Sequence, residues 1–270
     1  MSIFDSHCHP QVAQYDKDRD AMISRSKASG ISMICVGTDL ETSKLGIKLA
    51  QEHKNMWATV GLHPNDNLNE DFNPLEYEEL LKMPKVVAMG EIGLDYYRTS
   101  EPKDQKFQTE RFEYQLEVAK KMKKPVILHC RDSKAGSTGK AYPQMVDILK
   151  NLNITNGVVH SYTGSLEEAK KFLNLGFYLG FNGIITFPPS RKASAGTVPG
   201  MYDEIVRYAP LEQILLETDS PYLTPEPYRG KRNEPAYVVE VAKKVSELKK
   251  EPLEKVVEIT TKNCKNLFKI

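Results

Sequence analysis

Eight short apolar runs, each separated from the next by an amphipathic or polar stretch, constrain this chain more than any other feature of it. They fall near residues 3–8, 31–37, 57–62, 86–91, 125–130, 157–161, 177–181 and 213–218. Apolar runs of this length, rich in β-branched residues, read as strands buried on both faces. The stretches between them carry helix signals. Phe112, Leu116, Ala119 and Met122 recur at helical spacing within 105–123, and Ser165-Leu166-Glu167-Glu168 has the form of a capping box opening the next helix. Parallel strands need crossover connections, and helices supply them. Eight strand–helix units in 270 residues therefore predict an α/β fold, a (β/α)8 TIM barrel, with residues 1–270 as a single domain. Helical patterns at 236–249 and 253–267 close the chain. Two irregular regions, 186–200 and 220–235, follow the seventh and eighth strands, on the face where barrel sites form.

Charge and cysteine usage narrow the function classes. With 37 basic and 36 acidic residues the net charge is +1, so attraction to a polyanion must come from a local patch. Cys8, Cys35, Cys130 and Cys264 are widely spaced and form no CxxC pair, the pattern of reduced, buried thiols in a cytosolic protein. No signal-like n-region and h-region opens the sequence, and no run approaches 18 apolar residues. A soluble, cytoplasmic chain is expected, with no membrane association and no obligate protein partner.

Five of the six histidines, His7, His9, His63, His129 and His160, sit at or just past the end of one of these runs, and so do Glu91 and Asp219. One rim of a parallel barrel collects side chains from distant strand ends, which gives this placement a purpose. His7 and His9, two residues apart, share one side of an extended strand with Cys8 opposed, and the same rule pairs His129 with Arg131. A carboxylate at Glu91 is costly to bury alone; it either pairs with a neighbouring Lys or Arg or bridges two metal ions. Of Glu217 and Asp219, one faces the barrel mouth. Asp219, nearer the end, is the stronger ligand candidate, and Glu217 hydrogen-bonds a ligand or caps the loop. His7, His9, His129 and His160 with the two carboxylates supply enough ligands for two divalent ions. Imidazole and carboxylate without thiolate suit zinc or manganese, whereas magnesium prefers more oxygen. Two such ions roughly 3.5–4 Å apart would serve an in-line phosphoryl displacement. His63 in GLHP is set apart as substrate-facing, and His53, in a polar helical stretch, as solvated. GSTGK at 136–140 fails as a phosphate loop, because Lys134 stands where glycine is needed and Ala141 where Ser or Thr is needed.

The motifs FDSHCH (4–9), VGLHP (60–64), GEIGLDYYR (90–98), LHCR (128–131), VVHSYTG (158–164), ETDSPYL (217–223) and RGKRNEP (229–235) together resemble the TatD family of metal-dependent deoxyribonucleases, within the amidohydrolase-like TIM barrels. The resemblance implies two divalent metal ions, zinc, manganese or magnesium. His7, His9, Glu91 and Asp219 would hold one; Glu91, His129 and His160 would hold the other, with Glu91 bridging. Asp219 would also take a proton from the attacking water. His63, Tyr96 and Arg131 would lie close to the scissile phosphate, and Arg229, Arg232 and Asn233 would seat the substrate or shape the pocket rim. The chain departs from the family pattern at Tyr162, where many relatives carry Phe, at Tyr228, where His is common, and in loops 132–140 and 186–200, which look longer than usual.

The implied function is hydrolysis of DNA phosphodiester bonds by metal-activated water, as a 3′–5′ exodeoxyribonuclease acting on single-stranded DNA or 3′ ends. Arg131, Arg229, Lys231 and Arg232 supply local attraction for phosphate. Walls of Tyr96, Tyr97, Pro221 and Tyr222 would favour a chain end through base stacking. One rival keeps the metals and changes the substrate to another ester or amide, such as a D-aminoacyl-tRNA; the basic RGKR loop and His63 favour phosphate. A second rival, a non-catalytic scaffold, predicts a lost ligand, and none is missing.

Overall fold

The computed structural model describes residues 2–65, 71–133, 140–187, 200 and 202–270. Eight parallel strands, β1 (Ile3–Cys8), β2 (Ile31–Val36), β3 (Met56–Val60), β4 (Val86–Asp95), β5 (Val126–Arg131), β6 (Gly157–Val159), β7 (Tyr178–Phe181) and β8 (Ile214–Leu216), pair in sequence order. Helices α1 (Arg19–Ala28), α2 (Leu40–Glu52), α3 (Pro74–Lys82), α4 (Pro102–Lys121), α5 (Ala141–Asn151), α6 (Leu166–Asn174) and α7 (Asp203–Tyr208) make the crossovers. After β8 come α8 (Val238–Lys249) and α9 (Leu253–Phe268). This is the expected barrel. The capping box at Ser165 and Glu168 is formed at the start of α6. The four cysteines are free and buried. Among the described residues no helix is long and apolar enough to cross a membrane.

Strand alternation divides the apolar side chains between two cores. Ile3, Met33, Val126, Leu128, Val159 and Leu216 join the helices in the larger one. Their neighbours Phe4, Ile34, Ile127, Val158 and Leu215 fill the barrel interior, together with Cys264, Leu267 and Phe268 from the end of α9. The terminal helix thus stops the barrel near the strand starts and leaves the opposite end for polar groups.

The barrel closes between β8 and β1 without a full ladder. Asp219 N–H donates to the His7 carbonyl (2.9 Å), His9 N–H donates to the Ser220 carbonyl (2.8 Å), and Cys8 bridges to Ser220. Below this, the buried Asp5 carboxylate takes the Thr218 N–H (2.9 Å) and hydroxyl (2.5 Å), and the Ser6 hydroxyl donates to the Leu216 carbonyl (3.0 Å).

Two elements differ from the sequence expectation. Helix α4 buries a polar row as well as its apolar one. Gln115 both receives the Leu62 N–H (2.8 Å) and donates to the Leu62 carbonyl (3.0 Å). Arg111 donates to the carbonyls of His63 (3.0 Å) and Pro64 (2.8 Å), and Gln108 receives the Asp95 N–H (3.0 Å). The helix therefore fixes the backbone at the ends of both β3 and β4. Strand β4 also continues to Asp95 instead of ending at Glu91. Gly93 permits this, because its φ is +150° and a Cβ there would lie 1.9 Å from the His129 carbonyl oxygen. Gly93→Ala is expected to cost about 3 kcal/mol or more, read as a lowered urea midpoint, since the clash is with backbone and has no rotamer to relieve it. Of the two irregular regions, 220–235 is described; most of 186–200, most of 132–140 and all of GSTGK except Lys140 lie outside the described residues.

Candidate metal centre

The strand ends bring His7, His9, Glu91, His129, His160 and Asp219 into one cluster, and Glu91 stands at its centre. Its Oε2 lies 3.3 Å from His7 Nε2. Its Oε1 lies 2.8 Å from His129 Nδ1 and 3.7 Å from His160 Nε2. His7 Nε2 and His9 Nε2 are 3.2 Å apart, and Asp219 Oδ1 is 3.4 Å from His9 Nε2 and 3.8 Å from His160 Nε2. The rings of His7 and His160 stack with centroids 3.5 Å apart. Asp219 reaches inward from a left-handed backbone (φ +57°), a conformation that Asp tolerates better than most residues.

These side chains suit a divalent cation. A tetrahedral ion with bonds of about 2.0–2.1 Å has ligand–ligand edges of roughly 3.3–3.4 Å, and the separations His7–His9, His7–Glu91 and His9–Asp219 fall between 3.2 and 3.4 Å. Donor atoms of His7, His9 and Glu91 lie within 4.8 Å of one another, as do those of His7, His160 and Asp219 and those of His63, Glu91 and His129.

In the absence of a cation, the cluster shares protons. Burial pushes the Glu91 carboxyl up, but the charges of His160, His7 and His63 and the hydrogen bond from His129 outweigh it and hold it well below the usual range. Asp219 is held down in the same way by His9, His160 and His7 against its burial. Burial alone would lower His129 and His160. Asp95 and Glu91 instead raise His129 to about 9, and Glu217 and Glu91 raise His160 to about 10. His7 is lowered by burial and by His160, whereas His9 is raised, its burial outweighed by Asp219.

Each outer ring nitrogen has its own environment. His9 Nδ1 meets the Val36 carbonyl at 2.8 Å. His129 Nε2 meets Asp95 Oδ2 at 3.2 Å. His160 Nδ1 lies 2.9 Å from Glu217 Oε1, near enough for an ion pair but off the line of a well-formed hydrogen bond. His7 Nδ1 is buried without a hydrogen-bond partner among the described residues. The contact made by Asp95 was not foreseen from the sequence. The signal was there: residues 91, 93 and 95 share a strand face, so Asp95 follows Glu91 once β4 is extended. Glu217 faces His160 directly. Gly180 leaves it room, since a Cβ there would lie 2.4 Å from Glu217 Oε2.

The other site candidates separate. His63, expected apart from the ligands, has its Nε2 3.7 Å from Glu91 Oε1 and its ring nearly perpendicular to that of His129, with centroids 4.5 Å apart. Gly61 permits that approach, because a Cβ there would meet the Gly90 carbonyl carbon at 2.7 Å. The Arg131 guanidinium lies 3.8 Å over the Tyr97 ring, and that of Arg229 lies 3.7 Å over the Phe187 ring. Arg229 also donates to the Thr224 carbonyl (3.0 Å), and three further residues expected near the substrate or at the rim have protein partners. The Tyr96 hydroxyl is directed to Gln144 (2.7 Å) and Thr109 (3.2 Å), between α4 and α5. Arg232 forms two 2.7 Å bonds to Asp18 and lies over Tyr15. Asn233 is buried and donates to the carbonyls of Thr218 (2.9 Å) and Tyr222 (2.5 Å), which shapes the rim behind Asp219.

Comparison with known proteins gives consistent results. A family model described as TatD related DNase matches residues 4–269. The chain is 38% identical over 272 residues to the uncharacterized metal-dependent hydrolase YabD of Bacillus subtilis, across 99% of each protein. It is 32% identical over 276 residues to the 3′-5′ ssDNA/RNA exonuclease TatD of Citrobacter koseri, again across 99% of each. The crystal structure of YJJV, a TatD homolog from Escherichia coli, aligns with a TM-score of 0.86 at 29% identity, over 99% of this chain and 98% of that one.

Proposed function

Because the chain belongs to the TatD-related DNase family of metal-dependent hydrolases, we propose that it removes nucleotides from the 3′ end of single-stranded DNA by hydrolysing phosphodiester bonds. The observation that carries this reading is the division of Glu91, with one oxygen toward His7 and the other toward His129 and His160. His7, His9 and Asp219 would hold one divalent cation with Glu91, and His129 and His160 a second; zinc, manganese and magnesium are the candidates. Such ions lower the pKa of water toward neutral and offset charge gathering on a phosphoryl group.

The chain's own groups divide the remaining work. Asp219 has the more accessible carboxylate, with 16% of its side chain exposed against 5% for Glu91. It is held ionised, so it can orient water and accept its proton. His63 faces the same space and is pinned through its carbonyl by Arg111 and through its N–H by the Thr38 carbonyl (2.8 Å). It contributes a ring nitrogen toward the phosphate. Arg131 and Arg229 bring positive charge to the rim, each pre-aligned on an aromatic ring, a geometry suited to phosphate oxygens. Tyr222, half exposed and with its ring 6.4 Å from that of His9, offers a stacking face for a terminal base.

The test is release of nucleotides from a labelled single strand, alongside a p-nitrophenyl phosphodiester, an acyl ester and a D-aminoacyl-tRNA. Metal-dependent release of 3′-terminal nucleotides is expected. Absence of release, or turnover confined to the acyl substrates, overturns the assignment.

A further inference from the structure

We infer that Asp95 and Glu217 are positioning residues for only one half of the metal centre, the half built on His129 and His160. The inference rests on the two-cation reading above and adds to it two carboxylates outside the ligand set.

Asp95 is fully buried at the end of β4 and fixed at three points. Its N–H donates to Gln108, its Oδ1 accepts the Arg98 N–H at 3.0 Å, and its Oδ2 meets His129 Nε2 at 3.2 Å. His129 is thereby turned so that Nδ1 faces Glu91. Glu217, also fully buried, accepts the Ser161 N–H at 2.7 Å and the Asn182 amide at 3.3 Å, while its Oε1 stands 2.9 Å from His160 Nδ1. His160 therefore presents the other nitrogen, Nε2, to the centre. The two rings are held from opposite atoms, and in both cases the group behind is a carboxylate.

The other pair differs. Behind His9 is the neutral carbonyl of Val36, and His7 Nδ1 has no hydrogen-bond partner and no ion-pair carboxylate among the described residues. A carboxylate behind an imidazole fixes its tautomer and orientation and makes the facing nitrogen a stronger donor. Losing it typically costs roughly 10–100-fold in metal affinity. That cost should fall on the cation held by His129 and His160 and spare the one held by His7 and His9. A purely architectural role predicts otherwise. If Asp95 only ties down the turn at Arg98, and Glu217 only supports Ser161 in its left-handed conformation (φ +46°), removing them loosens the whole rim and weakens both cations together.

The experiment is calorimetric titration of the metal-free full-length chain with Mn²⁺ at fixed pH. The wild type is expected to take up two equivalents. Asp95→Asn and Glu217→Gln should each weaken one equivalent by roughly 10–100-fold and leave the other within about twofold. His129→Ala should abolish that same equivalent, and Asp95→Asn added to it should leave the remaining one unchanged. Asp95→Glu, which keeps the charge, should recover part of the loss. Equal weakening of both equivalents, or no change in either, overturns the inference. The two carboxylates test it independently, so one variant that fails to fold leaves the other decisive. If the wild type binds fewer than two ions, the two-cation reading falls and this inference with it. No nucleic acid enters the titration, so absence of DNA cleavage leaves the result intact and removes only the substrate assignment.

Discussion

Replacing Glu91 with glutamine is expected to reduce phosphodiester hydrolysis by about three orders of magnitude or more, a barrier increase of roughly 4 kcal/mol, while the barrel stays folded. Among the described residues Glu91 is the only group whose two oxygens face both imidazole pairs, so none of these neighbours can substitute for it. An amide offers one weak acceptor and a pair of N–H donors, which would point at imidazole nitrogens meant to donate electron pairs. The folded state should tolerate the change, because histidines that lose a counter-charge can release their protons rather than stay charged in a buried site. Metal content by mass spectrometry should fall from two ions per chain to fewer than one, with the far-ultraviolet circular dichroism spectrum unchanged. A variant retaining activity within tenfold of the wild type would remove Glu91 from the bridging role.

Cation uptake by the metal-free chain is expected to release protons and to tighten steeply as pH rises. His129 and His160, raised to about 9 and about 10, both carry their protons near pH 7.5, and each must lose one to become a ligand. Titrations in two buffers of different ionisation enthalpy should therefore show release of about two protons per chain near neutral pH. Without cations, the same raised values stabilise the fold. Their contribution is fully present below the ordinary histidine value of 6.5 and is lost as pH climbs through about 9 to 10. The depressed carboxyls, Glu91, Asp219 and Asp95, act in the opposite sense, and their contribution disappears as the pH falls through their folded values, near 2 for Asp95. The metal-free protein should thus melt at a lower temperature at pH 10 than at pH 6.5, and saturating cation should flatten that difference. Uptake without proton release would contradict the shared-proton description of the cluster.

Much of this centre is legible in the sequence because two periodicities coincide. Two-residue alternation sends His7 and His9 to one side of β1, and barrel topology gathers the strand ends, so residues scattered from 7 to 219 can be grouped without coordinates. What escaped depends on local departures from those regularities. The apolar run near 86–91 stops at Glu91, which hid both the length of β4 and the place of Asp95. Tyr96 comes after that extension, and its side chain is taken by Gln144 and Thr109, which arrive from two different helices. Arg232 and Asn233 sit in a basic, polar motif expected to seat the substrate or shape the rim, and nothing in the sequence marks their partners, Asp18 and the carbonyls of Thr218 and Tyr222. Competition for a polar side chain by tertiary neighbours leaves no mark on spacing or composition. The polar row of α4 is a related case: nothing in the spacing of Gln108, Arg111 and Gln115 marks them as partners of backbone groups at two strand ends.

The seam between β8 and β1 has a consequence for biosynthesis. His7 and His9 are made well before Asp219, whose N–H donates to the His7 carbonyl. A nascent chain of 200 residues already carries five of the six clustered groups, yet it lacks both the final strand and the carboxylate that completes the set. Until that strand is made, the seam stays open and the His7–His9 half of the cluster lacks its second carboxylate. Closing the seam and completing the His7–His9 half of the cluster therefore depend on one short segment, 218–220, so a chain that has assembled that half has also drawn its last strand to its first.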